Sequence, residues 1–493
     1  MEIANTIRKK IRSFLQITEN TETIISVESE FTHPLLCNVE EIMYRSDPKE
    51  LEQCFKALQL DNAMFWASVP STGRKIRKKS AHMFPDILDR QNDILISSMN
   101  EPEFADVNDK ALFEEIFDYN NGQAFVDIMK KVDLQTMLKG DCFLKATIDT
   151  EVSKYPILEV FPSDRGELIY NRNILDKIEF YTEYRKNKKK YILKETYGKG
   201  YINYNLYNED DKEVPLDTIE ELAGLSNITF QGEYIMATYL KYWDSPRFEH
   251  RGDPLITDFD AFDSLDEALS LWSSGLRKGQ PNRYIPSAMI PRDSNGQLMR
   301  PNDFDNDFIM TNGSMAEGKD EIHISQPTFD YQSYESSALN FKLECMRAGK
   351  ISPVTMAVDR NKYEDNATAD RQKEKMTEWT RAQRIDKLMI FIPEMINMVF
   401  NTYANIIGGI ITEHKIEASF DEFSSPTIED VIDVLSKAAP GTKLISNNTI
   451  VELTSKALNK DEEWKKEELQ ALESESGYAP ADEAPLIDSD FNY

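Results

Sequence analysis

The chain has 493 residues, 40% of them hydrophobic and 29% charged, enough for about three domain-sized units with a sizeable core. Against 57 Lys and Arg stand 86 Asp and Glu, and the formal net charge of -29 excludes a protein that grips nucleic acid through a broadly basic surface, because phosphate affinity comes from Lys and Arg. The cysteines Cys37, Cys54, Cys142 and Cys345 are scattered without CxxC spacing, and the start of the chain does not read as a signal peptide, so the expectation is reduced, buried thiols in a cytosolic product.

In chain order, Ile3, Ile7, Ile11 and Phe14 interleave with Arg8, Lys9, Lys10 and Arg12, which predicts a short amphipathic helix with a basic face suited to surface docking. Helical patterns continue through Val39 to Tyr44 and, after the Asp47-Pro48 turn, through Leu51, Cys54, Phe55 and Leu58. Phe65-Trp66 follows. The run Arg74, Lys75, Arg77, Lys78, Lys79 reads as a solvated face offsetting acidic surroundings rather than a phosphate contact. A helical region reaches about Val132. From Cys142 to Trp243 the period changes to strands, at Lys154 to Phe161, Lys177 to Tyr184, Tyr191 to Thr196 and Tyr201 to Tyr207. Arg185 to Lys190, five basic residues in six, reads as a hairpin tip in water. Residues 1 to about 250 therefore predict an α+β domain.

The centre of the chain predicts two helices flanking an excursion. The first carries Phe259, Phe262, Leu265, Ala268 or Leu269, Trp272 and Leu276 on one face and stops at Gly275 to Pro281. The second carries Tyr331, Tyr334, Ala338, Phe341, Cys345 and Ala348 and ends at Gly349, with Ser352-Pro353 forbidding continuation. Between them, prolines 281, 286, 291, 301 and 327 punctuate short strand-like pieces at Tyr284 to Met289, Phe308 to Met310 and Ile322 to Ile324, a small β-rich lobe.

A third helix starts near the capping residues Asp365 and Asn366 and runs through Met376, Trp379, Ile385, Leu388, Ile392, Ile396, Val399 and Tyr403 to Gly408-Gly409, roughly 60 Å at about 1.5 Å per residue. Leu388 to Ile411 is long enough to cross a bilayer, but Glu394, Asn397, Asn401 and Asn405 line one face, so an amphipathic helix is expected, kinked at Pro393. A strand-like piece, Ile410 to Phe420, comes next. Helices are predicted around Ile428, Val431, Ile432, Leu435 and Ala438, after Ser446 with Ile450, Leu453 and Ala457, and around Trp464. From Glu473 onward there are six acidic residues and no Lys or Arg, the composition of a disordered tail.

Catalytic patterns are absent from the sequence. Gly313 to Asp320 matches a phosphate-binding loop except at Asp320, where Ser or Thr should meet Mg²⁺ and where a carboxylate repels phosphate. Asp303, Asp305 and Asp307 lack the glycine and closing glutamate of a calcium loop. His33, His82, His250, His323 and His414 show no metal-ligand spacing. No cofactor, metal or enzymatic activity is expected.

Several stretches, taken in order, resemble the portal proteins of tailed double-stranded DNA phages, especially the Gram-positive siphophage type. They are Tyr44-Arg45-Ser46-Asp47-Pro48 with Leu51, Phe65-Trp66 with the basic run, the strands through Pro162-Ser163 and Glu195-Thr196-Tyr197-Gly198, Asp258 to Trp272, Asn366-Ala367-Thr368-Ala369, and a closing strand followed by Ile445-Ser446. The succession covers most of residues 38 to 470, and it carries the likeness rather than any single motif.

The resemblance implies an α+β portal fold: wing 1–257, stem helix 258–279, clip 280–330, second stem helix 331–349, tunnel loop 350–365, long helix and returning wing strand 366–425, α-helical crown 426–472 and acidic tail 473–493. It implies a homododecamer at one capsid vertex, with the host cytoplasm as the place of assembly and the virion as the destination. Its partners would be the major capsid and scaffolding proteins, the large terminase subunit, the head-tail connector and the double-stranded DNA in the channel, with no membrane. The tunnel loop would expose Asp359, Arg360, Asn361, Lys362 and Tyr363. The clip interface would use Arg283, Tyr284, Arg292, Phe308, Lys319 and His323, and the stem Phe262, Leu265, Trp272, Tyr334 and Phe341. An acidic wall suits a conduit in which DNA must slide, because it does not hold phosphate. A scaffold-like virion protein without a channel, or a nucleotide-binding enzyme using Gly313 to Asp320, are the alternatives.

Overall fold

A computed structural model describes residues 32–58, 64–68, 77–149, 152–278, 282–286, 292, 294, 296–297, 309–311, 323–325, 330–358, 367–421, 451, 455 and 462–476. The expected N-terminal amphipathic helix, Arg74 and Lys75, both loop-like motifs of the 300–320 region, Asp359 to Tyr363, most of the crown and the acidic tail beyond Ser476 lie outside these residues, while Glu473 to Ser476, expected as the start of a disordered tail, continue a helix. The chain divides into two compact units, Met1–Ser419 and Phe420–Tyr493. In the second, α9 (Glu462–Ser476) forms around Trp464 as expected.

The first unit is mixed helix and sheet. It opens with α1 (His33–Arg45), α2 (Pro48–Ala57), α3 (Met83–Ser97), the short β1 (Glu103–Phe104), α4 (Val107–Ile116) and α5 (Phe125–Lys139). Local chemistry sets the boundaries. Asp47 caps α2 by accepting from the N–H groups of Lys49 at 2.9 Å and Glu50 at 3.2 Å, and Pro48 occupies the first turn, where its missing N–H costs nothing.

Beyond α5, β2 (Asp141–Thr147) pairs antiparallel with β3 (Ile157–Pro162) on one side and β10 (Ala237–Lys241) on the other. A larger antiparallel meander follows: β4 (Gly166–Asn171), β5 (Ile174–Lys186), β6 (Lys189–Gly198), β7 (Tyr201–Asn208) and β8 (Glu213–Val214), with β9 (Ile228–Thr229) also on β7. Alternation along β7 turns Ile202, Tyr204 and Leu206 inward. The core between these strands is aromatic, with Phe180 meeting Phe143, Phe161 and Tyr197 at centroid distances of 5.5, 5.0 and 5.2 Å. Where α5 ends, Gly140 (φ 85°) abuts Gly252, and a Cβ on Gly252 would lie 2.0 Å from the Gly140 carbonyl oxygen, so neither position tolerates a side chain.

Then come α6 (Asp260–Lys278), a small sheet of β11 (Asn282–Pro286), β12 (Ile309–Thr311) and β13 (His323–Ser325), α7 (Tyr331–Ala348), α8 (Ala367–Ile407) and β14 (Ile416–Glu417), which pairs with β1. α8 is the 41-residue helix that the caps and glycines predict. Its C-terminal half buries Leu388, Phe391, Ile392, Met395, Ile396, Val399 and Phe400.

Its N-terminal half corrects the sequence reading, for Trp379, expected inward, is 69% exposed, while Thr377, Thr380, Arg381 and Arg384 are buried. The reason is that this half packs against backbone carbonyls, a backbone N–H, a serine hydroxyl and a carboxylate, which these polar side chains satisfy and an indole does not. Among the described residues no helix is long and apolar enough to cross a membrane.

The asparagine face of α8 meets chain rather than water. Asn397 pairs with both backbone groups of His414, accepting from its N–H at 2.7 Å and donating to its C=O at 3.0 Å. Asn405 does the same to Gln231, at 2.9 and 3.3 Å, and Asn401 accepts from the Thr412 N–H at 3.3 Å. The expected strand from Ile410 to Phe420 is thereby reduced to β14, because these amides take the place of a strand partner. Of the cysteines, all free, Cys37, Cys142 and Cys345 are buried and Cys54 is half-buried.

Candidate functional site

α6 and α7 pack against each other as a hairpin that leaves the body and returns to it. The base is well buried. Phe262 is 3% and Leu265 0% exposed, and on α7 Ala338, Cys345 and Met346 are buried. Two carboxylates missed by the sequence reading sit among these apolar residues. Asp263 accepts from the backbone N–H of Phe65 at 2.7 Å and Trp66 at 3.1 Å, and Asp266 from the Trp66 indole at 3.1 Å and the Ala81 N–H at 2.6 Å. Burial pushes Asp266 up to about 7, against the pull of those hydrogen bonds, and raises Asp263 as well. The available signal was their position beside Phe262 and Leu265, where an unpartnered charge is costly.

The basic run following Phe65-Trp66 belongs to the same anchorage. The Lys78 ammonium donates to the carbonyls of Phe65, Trp66 and Ser68 at 2.6, 2.8 and 3.0 Å, and Lys79 donates to Ser273 at 2.7 Å. These two lysines therefore do not form the solvated face that the sequence suggests. They tie the chain around Trp66, which is 1% exposed, to α6.

At the other end of the base, the elbow after α7 is latched from two sides. Gln91 on α3 donates to the carbonyls of Gly349 and Lys350 at 3.3 and 3.1 Å. From α8, Thr380 donates to the Lys350 carbonyl at 3.1 Å, and Thr377 accepts from the Ser352 N–H at 2.9 Å. Each contact satisfies a backbone group of the elbow beyond α7.

Other apolar residues of the same two helices stay exposed. Leu271, Leu276, Tyr331, Leu339 and Leu343 are 40, 56, 56, 44 and 38% exposed, and Leu339 and Leu343 lie one turn apart on α7. Of the expected stem residues, Phe262 and Leu265 lie in the base, whereas Trp272, Tyr334 and Phe341 are half-buried.

Between the helices, β11 runs parallel to β12 and antiparallel to β13, and its register places Tyr284 opposite both Ile309 and His323, and Arg283 opposite Ile324. The expected clip residues Arg283, Tyr284 and His323 are thus brought onto one small sheet. Arg292 is exposed and donates to the Gly296 carbonyl at 3.0 Å. Phe308, Lys319 and Asp359, Arg360, Asn361, Lys362 and Tyr363 lie outside the described residues.

One polar cluster elsewhere has the residue types of a hydrolase. Ser163, 0% exposed, donates its proton to Asp141, lies 3.1 Å from His33 Nε2 and accepts from Arg251 at 2.7 Å. The arrangement does not make a nucleophile, because the hydroxyl proton is committed to the carboxylate and Asp141 is held instead by Arg251 at 3.1 Å, Tyr239 at 3.1 Å and the Gly252 N–H at 2.9 Å. Burial, aided by Arg251, holds His33 well below its ordinary pKa. Among the described residues no group of three His, Cys, Asp or Glu side chains is placed to hold a metal.

No family model and no curated protein matches the chain. Among solved structures it is similar to a chain described as the neck of a native GTA particle computed with C12 symmetry, at a TM-score of 0.32 and 12% identity, covering 74% of this chain and 98% of that one. It is also similar to a chain from the neck of an empty GTA particle computed with C6 symmetry, at a TM-score of 0.31 and 12% identity, covering 74% of this chain and 97% of that one. At that level the likeness fixes no family, and function has to be argued from the chain's own geometry.

Proposed function

We propose that the chain is a portal-type subunit, twelve copies of which ring one capsid vertex and form the channel through which DNA is packaged by the terminase and later ejected. The observation that carries this reading is the α6–α7 hairpin, anchored by buried carboxylates and an elbow latch at its base yet exposing leucines along both of its helices. An isolated hairpin has no reason to leave them in water. Side-by-side copies in a closed ring bury them and give the hairpins a common inner wall. The small sheet at the hairpin's end then forms a projecting collar, the clip, for terminase during packaging and for the head-tail connector afterwards. On this reading the protein does no catalysis, belongs to a siphophage-type virion, and lets DNA slide because its charge is negative.

Electron microscopy of the purified protein tests the reading, with rings around a central hole as the expected image. Leu339→Glu with Leu343→Glu is expected to melt like the parent yet fail to close rings. Deleting Arg283 to Ile324 behind a short linker is expected to leave a folded body that no longer docks terminase. A parent that assembles without a hole, or not at all, leaves a non-channel structural protein of the virion as the better account.

A further inference from the structure

The β5–β6 hairpin ends in a two-residue turn at Asn187 and Lys188, whose φ values of 53° and 63° are the left-handed pair that right-twisted strands demand. Lysine is a poor choice at such a φ. The register then sets Arg185 opposite Lys190 and Lys186 opposite Lys189, two like-charge pairs facing each other directly, and each destabilises the hairpin.

The fold compensates only part of this. Glu183 reaches both Arg185 and Lys190 at 3.0 Å, and the Lys186 ammonium donates to the Thr218 carbonyl at 2.7 Å. Lys188 and Lys189 are exposed and make no ion pair among the described residues. Alternation puts cations on both faces of the ribbon and one at its tip, which makes a positive prong. Beside it stands the acidic turn Glu209-Asp210-Asp211, with Glu209 accepting from the Lys190 N–H at 2.8 Å.

We propose that this prong is a docking element for an acidic recess on a partner protein. A local conflict that gains the fold nothing marks a place kept for an external contact. Nucleic acid fits poorly, because two uncommitted ammonium groups release few counterions and a continuous row of phosphates is repelled by the adjacent turn. A protein surface can match a positive prong and a negative turn side by side. The inference does not depend on the ring.

Fluorescence anisotropy with labelled poly-L-glutamate and, separately, a short labelled DNA duplex tests it. The prong variant, Lys188→Glu with Lys189→Glu, is compared with Lys49→Glu plus Lys131→Glu, which changes the net charge equally at exposed sites elsewhere. The expected result is poly-L-glutamate binding weaker by about tenfold in the prong variant and near the parent's in the control. The prong variant should also melt no lower than the parent, because the Lys189→Glu substitution sets a carboxylate opposite Lys186 in place of a like charge. Equal losses in both variants, or none in either, overturn the proposal. Prong-dependent binding of the duplex but not of poly-L-glutamate replaces the protein partner with nucleic acid, and a lower melting point removes the argument from local conflict.

Discussion

Arg384 on α8 and Asp133 on α5, both 0% exposed, form a two-pronged ion pair with Nη2–Oδ2 at 2.5 Å and Nε–Oδ1 at 3.3 Å. The Tyr242 hydroxyl donates to the same carboxylate at 2.5 Å, and Arg384 Nη1 donates to the Gln91 carbonyl at 3.1 Å. Burial raises the Asp133 carboxyl, while Arg384 and Tyr242 draw it back. Replacing Arg384 with Met strands a buried charge and should cost about 3–5 kcal/mol, seen as a lower denaturation midpoint. Adding Asp133→Leu should recover most of that loss. If Arg384→Met alone is harmless, the pair does not hold the helices together.

Asp266 supplies a pH prediction. With its pKa pushed up to about 7 in the fold, it holds its proton more tightly than an unfolded-chain Asp, which titrates near about 4. Folding therefore takes up a proton between those values, and stability falls as pH rises through the window. The stability of the parent minus that of Asp266→Asn should decline from about pH 4 to about pH 7 and then level off. A flat difference would mean that the Trp66 and Ala81 donors keep the carboxylate ionised throughout.

The asparagine clamps predict a local effect. Asn397→Ala leaves both backbone groups of His414 without their partner and should cost about 1–3 kcal/mol, less for the more exposed Asn405→Ala. Hydrogen exchange should quicken at the His414 amide in the first variant and at the Gln231 amide in the second. Uniform quickening along the chain would instead indicate global destabilisation.

The tunnel segment assigned by the resemblance predicts a phenotype that follows from the proposed channel. Arg360→Glu with Lys362→Glu should leave ring assembly intact. Packaging or retention of DNA should change through added repulsion. Rings that package and retain full-length DNA like the parent would show that these side chains do not meet it.

How far the sequence could be read depended on whether a residue's role was local. The extents of α6, α7 and α8 follow from apolar spacing and from Gly349 and Gly408, and β5 to β7 follow from their Tyr, Ile and Leu alternation, all decided within a few neighbours. Roles fixed by distant partners were not legible. Lys78 is written like a surface cation, and only the fold brings the carbonyls of Phe65 and Trp66 to it. Trp379 fits a helical stripe, but the surface its helix meets is polar. Asn397, Asn401 and Asn405 announce a polar face without saying that a strand-like segment will occupy it. For the hairpin, the spacing gives the buried Phe262, Leu265, Ala338 and Cys345, but Leu276 and Tyr331, expected on the same stripes, are exposed because those stripes meet the body only near the base, and the exposed Leu339 and Leu343 fall outside the stripes altogether.

The Arg384–Asp133 pair also imposes an order in time. The two residues are 251 positions apart, so a ribosome working at about 5–20 residues per second makes Asp133 on the order of tens of seconds before its partner. The other ties between the halves, Trp66 to Asp266, Gln91 to Gly349 and Ser98 to Arg381, wait in the same way. Until the long helix emerges, the nascent N-terminal half lacks the guanidinium that pairs its buried carboxylate, and that pairing waits for residue 384.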